Sequence, residues 1–403
     1  MEQTSFQPSN SHSIYPPVTL GFIGNIPEPV GGAERFLDTL IDHLSQYPIK
    51  IVLARWLRQS IDLGTDSHIH YRYREKETLE IDEKRKLKTY YLFHISNHSE
   101  ILSFLKILYH GIKTSYFFHK EKVSIIHCHL LIPNIYYGFI ASRILRVPLI
   151  VTIHGLVDLA SPGHIFKKAH FSKKEQELLI WILKKCDRVI AVSKEIKDYL
   201  LGQGITKIEQ MSAGIDTAFF RPTPTEEHGI LFVGNLNTRK GFDLLLEAYL
   251  SIQDEINEPL YLVGKDPNNF DGTFGNVHYL GCLTHHQLLP IIHKSKIVIL
   301  PSRTEGLPLS ILEAMACNKL VLVSPVGGLK TLITEGKNGF LLKELSAECI
   351  KHQLRHILNN YSSFKETIGS KPRQSILEFD VRRIADWHWN LYRDVITPNQ
   401  PKT

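Results

Sequence analysis

Short apolar runs alternate with helical patterns along nearly the whole chain, and the alternation breaks once. VTLGFIG (18–24) is followed by Phe36, Leu37, Leu40, Ile41 and Leu44 at helical spacing. KIVLA (50–54), VSIIHCH (123–129), PLIVTIH (148–154) and DRVIAVS (187–193) read as strands, with helices expected at 134–145, about 172–185 and over KEIKDYLL. Such alternation predicts a parallel sheet covered by helices. Near 205–228 it gives way to SAGIDTAFFRPTPTEEHG, rich in Pro, Thr and Gly as linkers are. It then restarts with GILFVGN, PLYLVG, VHYLG, KIVILPS and KLVLVSP, with helices expected at 241–251, 285–294, 308–316, 328–334 and 346–359. The predicted fold class is α/β, two Rossmann-like α/β/α domains with a cleft between them.

The expected divisions are a disordered leader over 1–16, a first domain over 17–205, a linker over 206–228 and a second domain over 229–374. A C-terminal helix is expected over 375–396, an amphipathic segment with two of the four Trp that needs a surface to pack on. Residues 58–122 depart from the pattern; the charged run REKETLEIDEKRKLK reads as a solvated helix or loop excursion.

Composition narrows the class. With 43% hydrophobic and 22% charged residues, the 403-residue chain is that of a globular protein. Its 5 Cys form no CxxC pair, which disfavours a disulfide framework or zinc ribbon and suits a reducing cytoplasm. No apolar run reaches the roughly 18–20 residues of a membrane span, and the polar N-terminus lacks a signal core. The net charge of +6 falls in residues 1–200, which hold 26 Lys and Arg against 20 Asp and Glu; the remainder balances at 21 against 21. A basic first half fits an anionic membrane surface, an acidic partner or a plain solvated face.

The most informative stretch is SRTEGLPLSILEAMA (302–316). Pro308 stands where a helix would start and is expected at its first position. The amides of Leu309 and Ser310 then lack intrahelical partners and form an anion site at the helix's positive end. Glu305 and Glu313 flank it, eight residues apart. Two carboxylates around a phosphate-binding helix start suit a sugar–diphosphate–nucleoside: one accepts from hexose hydroxyls, the other from the ribose diol. The plain alternative is two exposed glutamates. In GNLNTRKG (234–241), Arg239 and Lys240 follow an apolar strand, where open α/β sheets bind ligands. The alternative there is a solvated basic turn.

In PEPVGGAERF (27–36), Gly31 and Gly32 would let the backbone approach a ligand closely; no GxGxxG is present, which weakens an NAD reading. His154 ends a strand in VTIHG and could donate to a phosphate or sugar, or be structural. His127 and His129, at i and i+2, face the same side of a strand; a zinc reading lacks a visible third ligand. The chain has no DxD pair, no GxxxxGK[ST] and no GxSxG.

These residues resemble the retaining, nucleotide-sugar-dependent glycosyltransferases of family 4, the glycosyl transferases group 1 with the GT-B fold. The matches run in order: GGAERF, IIHCH, VTIHG, AVS, AGID, GNLNTRKGFDLLLEA, LVGKD, EGLPLSILEAMA with its Glu-x7-Glu signature, PVGG and NGFLL. The resemblance implies that Glu313 binds ribose hydroxyls, Glu305 contacts the donor hexose, Lys240 holds the diphosphate, and His154 hydrogen-bonds the transferred sugar. Gly31 and Gly32 would sit against the phosphates, and the last helix would cross back onto the first domain. The catalytic candidates are His154, Lys240 and Glu305; the donor-binding candidates are Gly31, Gly32, Gly234, Arg239, Gly306, Leu309, Ser310 and Glu313. Three positions depart from the family pattern: Asn235 where Arg is usual, Thr331 where Glu is frequent, and Ala213 in the linker motif.

The expected activity is transfer of a hexose from a UDP- or GDP-sugar to a glycan or glycolipid acceptor with anomeric retention, in surface polysaccharide or lipopolysaccharide biosynthesis. No cofactor, metal or nucleic-acid partner is expected. An epimerase on the same architecture and a non-catalytic sugar-nucleotide-binding subunit are the alternatives. Lys167, Lys168, Lys173, Lys174, Lys184 and Lys185 around LLIWIL (178–183) suggest an interfacial helix; the plain alternative is LLIWIL packed on the sheet. The expected location is cytoplasmic, peripheral on the inner face of the membrane.

Overall fold

The computed structural model describes residues 18–25, 32–57, 69–74, 77–82, 87–93, 100–129, 133–155, 173–265 and 273–397. The expected leader, Gly31, Lys167 and Lys168 lie outside them.

Two sheets organise the chain. The first contains β1 (Val18–Asn25), β2 (Ile49–Leu57), β3 (Ile69–Arg74), β4 (Glu77–Asp82), β5 (Leu87–Phe93), β6 (Ile125–His129), β7 (Leu149–Ile153), β8 (Arg188–Ala191) and β9 (Ile208–Gln210). Their order is β3-β4-β5-β2-β1-β6-β7-β8-β9. From β5 to β9 every pairing is parallel, with Leu20 of β1 opposite Ile51 of β2 and Ile125 of β6. The second sheet contains β10 (Ile230–Val233), β11 (Leu260–Val263), β12 (Thr273–Phe274), β13 (Val277–Tyr279), β14 (Ile297–Leu300), β15 (Leu320–Val323) and β16 (Phe340–Leu341). Its order is β12-β13-β11-β10-β14-β15-β16. Every residue of β6, β7, β10, β14 and β15 is buried. Continuous apolar runs, rather than alternation, are what parallel strands covered on both faces require.

The helices of the first half are α1 (Gly32–Leu44), α2 (Glu100–Lys120), α3 (Asn134–Leu145), α4 (Lys173–Lys184) and α5 (Lys194–Gly202). Those of the second are α6 (Phe242–Leu250), α7 (Gln253–Ile256), α8 (His285–Lys294), α9 (Leu309–Ala316), α10 (Leu329–Leu332), α11 (Ala347–Asn359), α12 (Tyr361–Ile368) and α13 (Lys371–Gln374), and α14 (Val381–Ile396) follows.

Three expectations are corrected. The charged run in 74–88 forms β4 and the start of β5, paired antiparallel with Glu80 opposite Thr89, instead of a helix or loop. This antiparallel extension at the sheet margin tolerates charge that a central parallel strand would not. The span read as linker includes β9, which pairs with β8 through Val189 and Ile208. The span read as one helix from 375 holds a 3₁₀ turn at Leu377–Phe379, and α14 starts only at Val381. Asp380 sets that boundary: its carboxylate accepts from the Arg382 amide at 2.9 Å.

Helix α14 returns to the first domain. It buries Val381, Ile384, Ala385, His388, Leu391 and Tyr392, one stripe at helical spacing. The rings of Tyr47 and Trp389 stack at 5.6 Å, Tyr47 donates to Asp386, and His388 lies 6.3 Å from Phe36 of α1.

Candidate active site

Both halves of the second domain's site follow strands β10 and β14, the adjacent pair at which strand order reverses. Ligand crevices form beyond the carboxyl ends of such a pair. After β10, Asn237 caps a 3₁₀ turn over Thr238–Lys240, its Oδ1 accepting from the Lys240 amide at 3.0 Å. Gly241 ends the turn with φ 71°, and a Cβ there would lie 1.8 Å from the Pro301 carbonyl oxygen. Only glycine permits that approach, which draws the two loops together. Arg303 clamps the same loop, pairing through both guanidinium nitrogens with Asp243 at 2.8 Å.

After β14 the chain turns through Ser302–Leu307 into α9. Pro308 has φ −73° and ψ 120°. It is therefore the capping residue, one position before the expected first helical place; its extended ψ keeps it outside the helix. Among described backbone bonds, the Pro308 carbonyl accepts from Ile311 and Leu312. The amides of Leu309 and Ser310 precede these at the positive end. Since only Glu313 is helical, Glu305 sits in the turn ahead of α9 and not on a continuous helix with it.

A cleft of about 210 Å³ gathers the candidates. Gly234, Arg239, Lys240, Glu305, Gly306, Leu309, Ser310 and Glu313 line it from the second domain, and His154 from the first. Gly32 begins α1; Gly31 lies outside the described residues. Asn235 also lines the cleft. Thr331 does not, and its hydroxyl donates to the Gly328 carbonyl at 3.1 Å. Sequence reasoning missed Lys265, which lines the cleft after β11. The Gly264–Lys265 step at a strand end was the available signal.

Lys240 Nζ donates to Glu305 Oε1 at 2.6 Å, and Ser302 Oγ donates to the same oxygen at 2.6 Å. Arg239 lies 3.7 Å from Glu305 Oε2 and donates to the Thr304 carbonyl at 3.4 Å. Burial lowers the Lys240 pKa; Glu305 opposes that shift and Arg239 adds to it. Glu313 is 1% exposed, and its Oε2 is buried without a partner.

The domains meet at His154. A Cβ on Gly306 would lie 2.2 Å from the His154 carbonyl oxygen, so the glycine permits backbone contact across the cleft. Behind His154 stand three more histidines. His129 Nδ1 is 3.2 Å from His154 Nε2, His127 bridges Thr152 at 2.7 Å and Tyr392 at 2.8 Å, and His388 donates from Nδ1 to the Ile384 carbonyl at 2.8 Å. The expected shared side of His127 and His129 is observed, with ring centroids 4.2 Å apart. Burial pushes the pKa of His154 and His388 down to about 4 and those of His127 and His129 well below their usual range. All four are neutral at pH 7. His129 Nε2 is buried without a partner, and a bare nitrogen there costs less than an unpaired N–H. The proton of His129 is therefore assigned to Nδ1, which donates to His154 Nε2. His154 in turn carries its proton on Nδ1, available to a ligand of the cleft it lines. Among the described residues no group of three or more His, Cys, Asp or Glu is placed to hold a metal ion.

Two α/β domains enclosing a cleft with a basic loop, a helix start and paired carboxylates define a GT-B glycosyltransferase. The chain matches the family models "Glycosyltransferase Family 4" over residues 30–219 and "Glycosyl transferases group 1" over residues 214–374. It belongs to this glycosyltransferase family. An uncharacterized glycosyltransferase of Methanocaldococcus jannaschii is 26% identical over 280 residues, 68% of this chain and 76% of the relative. A sucrose-phosphate synthase from Thermosynechococcus elongatus superposes with TM-score 0.73 at 19% identity, covering 95% of this chain and all of that one. Anabaena HepE in complex with UDP-glucose superposes with TM-score 0.70 at 18% identity, covering 93% and 99%.

Proposed function

We propose that the protein transfers a hexose from a UDP- or GDP-sugar to a glycan or glycolipid acceptor, with retention at the anomeric carbon, in building a surface polysaccharide or lipopolysaccharide. The observation that carries this reading is the Lys240–Glu305 pair beside the start of α9, with Glu313 buried on the same helix. A leaving nucleoside diphosphate concentrates negative charge, and preorganised cations and amides stabilise it most effectively where water is excluded. Lys240, Arg239 and the amides of Leu309 and Ser310 supply these groups. Glu313 accepts from the ribose diol, Glu305 from hexose hydroxyls, and His154 Nδ1–H donates to the transferred sugar. The acceptor hydroxyl attacks from the face the diphosphate leaves, and a phosphate oxygen takes its proton. The structural neighbour with bound UDP-glucose supports a donor of this class. A panel of UDP-, GDP- and ADP-sugars, read by release of free nucleoside diphosphate, tests the proposal. Release from none of them in the presence of glycan and lipid-linked acceptors defeats it.

We further propose that the outer helices of the first domain rest on an anionic membrane. The sequence pointed to LLIWIL on α4, but Leu179, Ile182 and Leu183 are buried, Ile180 is half-buried, and Leu178 and Trp181 are exposed. The larger apolar face belongs to α2: Leu105, Leu108, Tyr109, Ile112 and Tyr116 are exposed at helical spacing, the last at 60%. Among the described residues every exposed large hydrophobic except Leu377 lies on α2 to α5. Lys106 and Lys113 lie on α2, with Lys113 set against the Tyr109 ring at 6.0 Å. Aromatic rings with lysine beside them suit the headgroup boundary. No described helix is long and apolar enough to cross a membrane. Liposome flotation should show binding that rises with anionic lipid, falls with salt and is lost in Ile112→Glu/Tyr116→Glu. Indifference to lipid charge and salt, or no binding, defeats this reading.

A further inference from the structure

Glu313 is the most deeply buried carboxylate of the cleft, and one imidazole stands beside it. His285 Nε2 lies 3.3 Å from Glu313 Oε1. The two are not aligned as a hydrogen bond, and both His285 Nε2 and Glu313 Oε2 are buried without a hydrogen-bond partner. A buried carboxylate with open acceptor positions is costly unless donors reach it.

The surroundings hold Glu313 and place His285 beside it. His285 is the first residue of α8, which begins in a reciprocal cap: Thr284 Oγ1 accepts from the Gln287 amide, and Gln287 Oε1 accepts from the Thr284 amide at 3.0 Å. The His285 ring meets Phe220 edge-on at 5.3 Å and Phe219 at 6.4 Å. Phe220 is itself tethered, its carbonyl accepting from Arg373 at 2.9 Å. Glu313 is locked in α9, whose other side chains from Ile311 to Ala316 are buried. The His285 side chain keeps 30% exposure, so the ring can turn to align with the carboxylate.

We propose that His285 is a positioning residue for Glu313: its Nε2–H donates to Oε1 and fixes the rotation of the carboxylate that receives the ribose hydroxyls. A vicinal diol offers two O–H donors, and the imidazole adds the one that sets their target. Loose polar contacts of this kind commonly tighten when the ligand is in place. The inference rests on the nucleotide-sugar reading and extends it to a residue outside the Glu-x7-Glu segment.

The test uses the full chain and the tightest binder among UDP, GDP and ADP, together with its 2′,3′-dideoxy form, by calorimetry. His285→Ala should weaken the ribonucleotide by about tenfold or more, the range of a hydrogen bond to a charged group. His285→Gln, whose amide N–H reaches a similar place, should restore most of that affinity. The dideoxy form should bind wild type and His285→Ala alike. Equal losses for both nucleotide forms, or no loss for either, overturn the role of His285 alone. Failure of all three nucleotides to bind the wild-type chain overturns the donor reading itself, and this inference with it.

Discussion

The ammonium of Lys240 and the carboxylate of Glu305, 2.6 Å apart, join the loop after β10 to the loop after β14. Neither loop forms the site alone. One brings cations, the other a carboxylate and a helix start, and the pairing holds the Lys240 charge in a buried place.

Lys240→Ala should leave the chain folded and lower kcat by about 10²-fold or more, the usual scale for removing one group that stabilises developing charge. Steady-state turnover with the preferred donor, alongside a thermal melt, checks this. Unchanged kcat would remove Lys240 from the chemistry.

Glu313→Ala should raise the Kd for the nucleoside diphosphate by about 10- to 100-fold, corresponding to roughly 1.5–3 kcal/mol for a charged acceptor. The substitution also removes a buried carboxylate that has an oxygen without a partner, so folding should survive. Calorimetric titration decides; affinity equal to wild type excludes the ribose contact.

Turnover should persist in EDTA. The cleft offers Lys240, Arg239 and helix amides for the diphosphate, and the sequence has no DxD pair. Loss of activity in EDTA with recovery on Mg²⁺ or Mn²⁺ would show that the cations of the protein do not suffice.

Stability should fall as pH drops from about 6.5 to about 4. His154 and His388 titrate near 4 in the folded chain because burial disfavours their charged forms, and His127 and His129 are depressed in the same direction. An unfolded histidine titrates near 6.5, so in this window the unfolded chain binds more protons. The stability is fully present above the unfolded value and is lost on acidification, with a slope up to about 1.4 kcal/mol per pH unit for each histidine. Urea midpoints at pH 7 and pH 5 measure it. Equal midpoints would contradict the burial of this cluster.

Gly306→Ala should lower activity more than it lowers stability, because the added methyl presses on the His154 carbonyl where the domains meet. Comparing kcat with the urea midpoint separates the two effects. Wild-type turnover would show that the domains need not approach this closely.

The parts of the site legible in the sequence were those written locally. Glu305, Leu309, Ser310 and Glu313 lie within nine consecutive residues, and Arg239 and Lys240 follow a recognisable apolar strand. The central strands β1, β2, β6, β7 and β8 of one sheet and β10, β11, β14 and β15 of the other were legible because burial on two faces demands unbroken apolar runs, whereas the outer parallel strands β5, β9 and β16 were not. β4 was not, since a strand outside the parallel core carries charges such as Glu80 that read as a solvated segment. The split of LLIWIL into buried and exposed halves depends on which face meets the sheet, and six residues do not announce that. The partners of His154 and Glu313 were illegible for another reason. His129 lies 25 residues from His154, and His285 lies 28 from Glu313; only the sheet topology makes them neighbours.

The return of α14 has a consequence for how the chain is made. Tyr392 reaches His127 at 2.8 Å, and His388 lies against Phe36, yet α14 is synthesised only after the entire second domain. Domains normally fold in order of emergence. The first domain is thus translated before α14, the helix that covers its α1 face and carries the hydroxyl partner of His127. Loss of α14 by a late stop codon or proteolysis would therefore uncover the domain farthest from the cut in sequence.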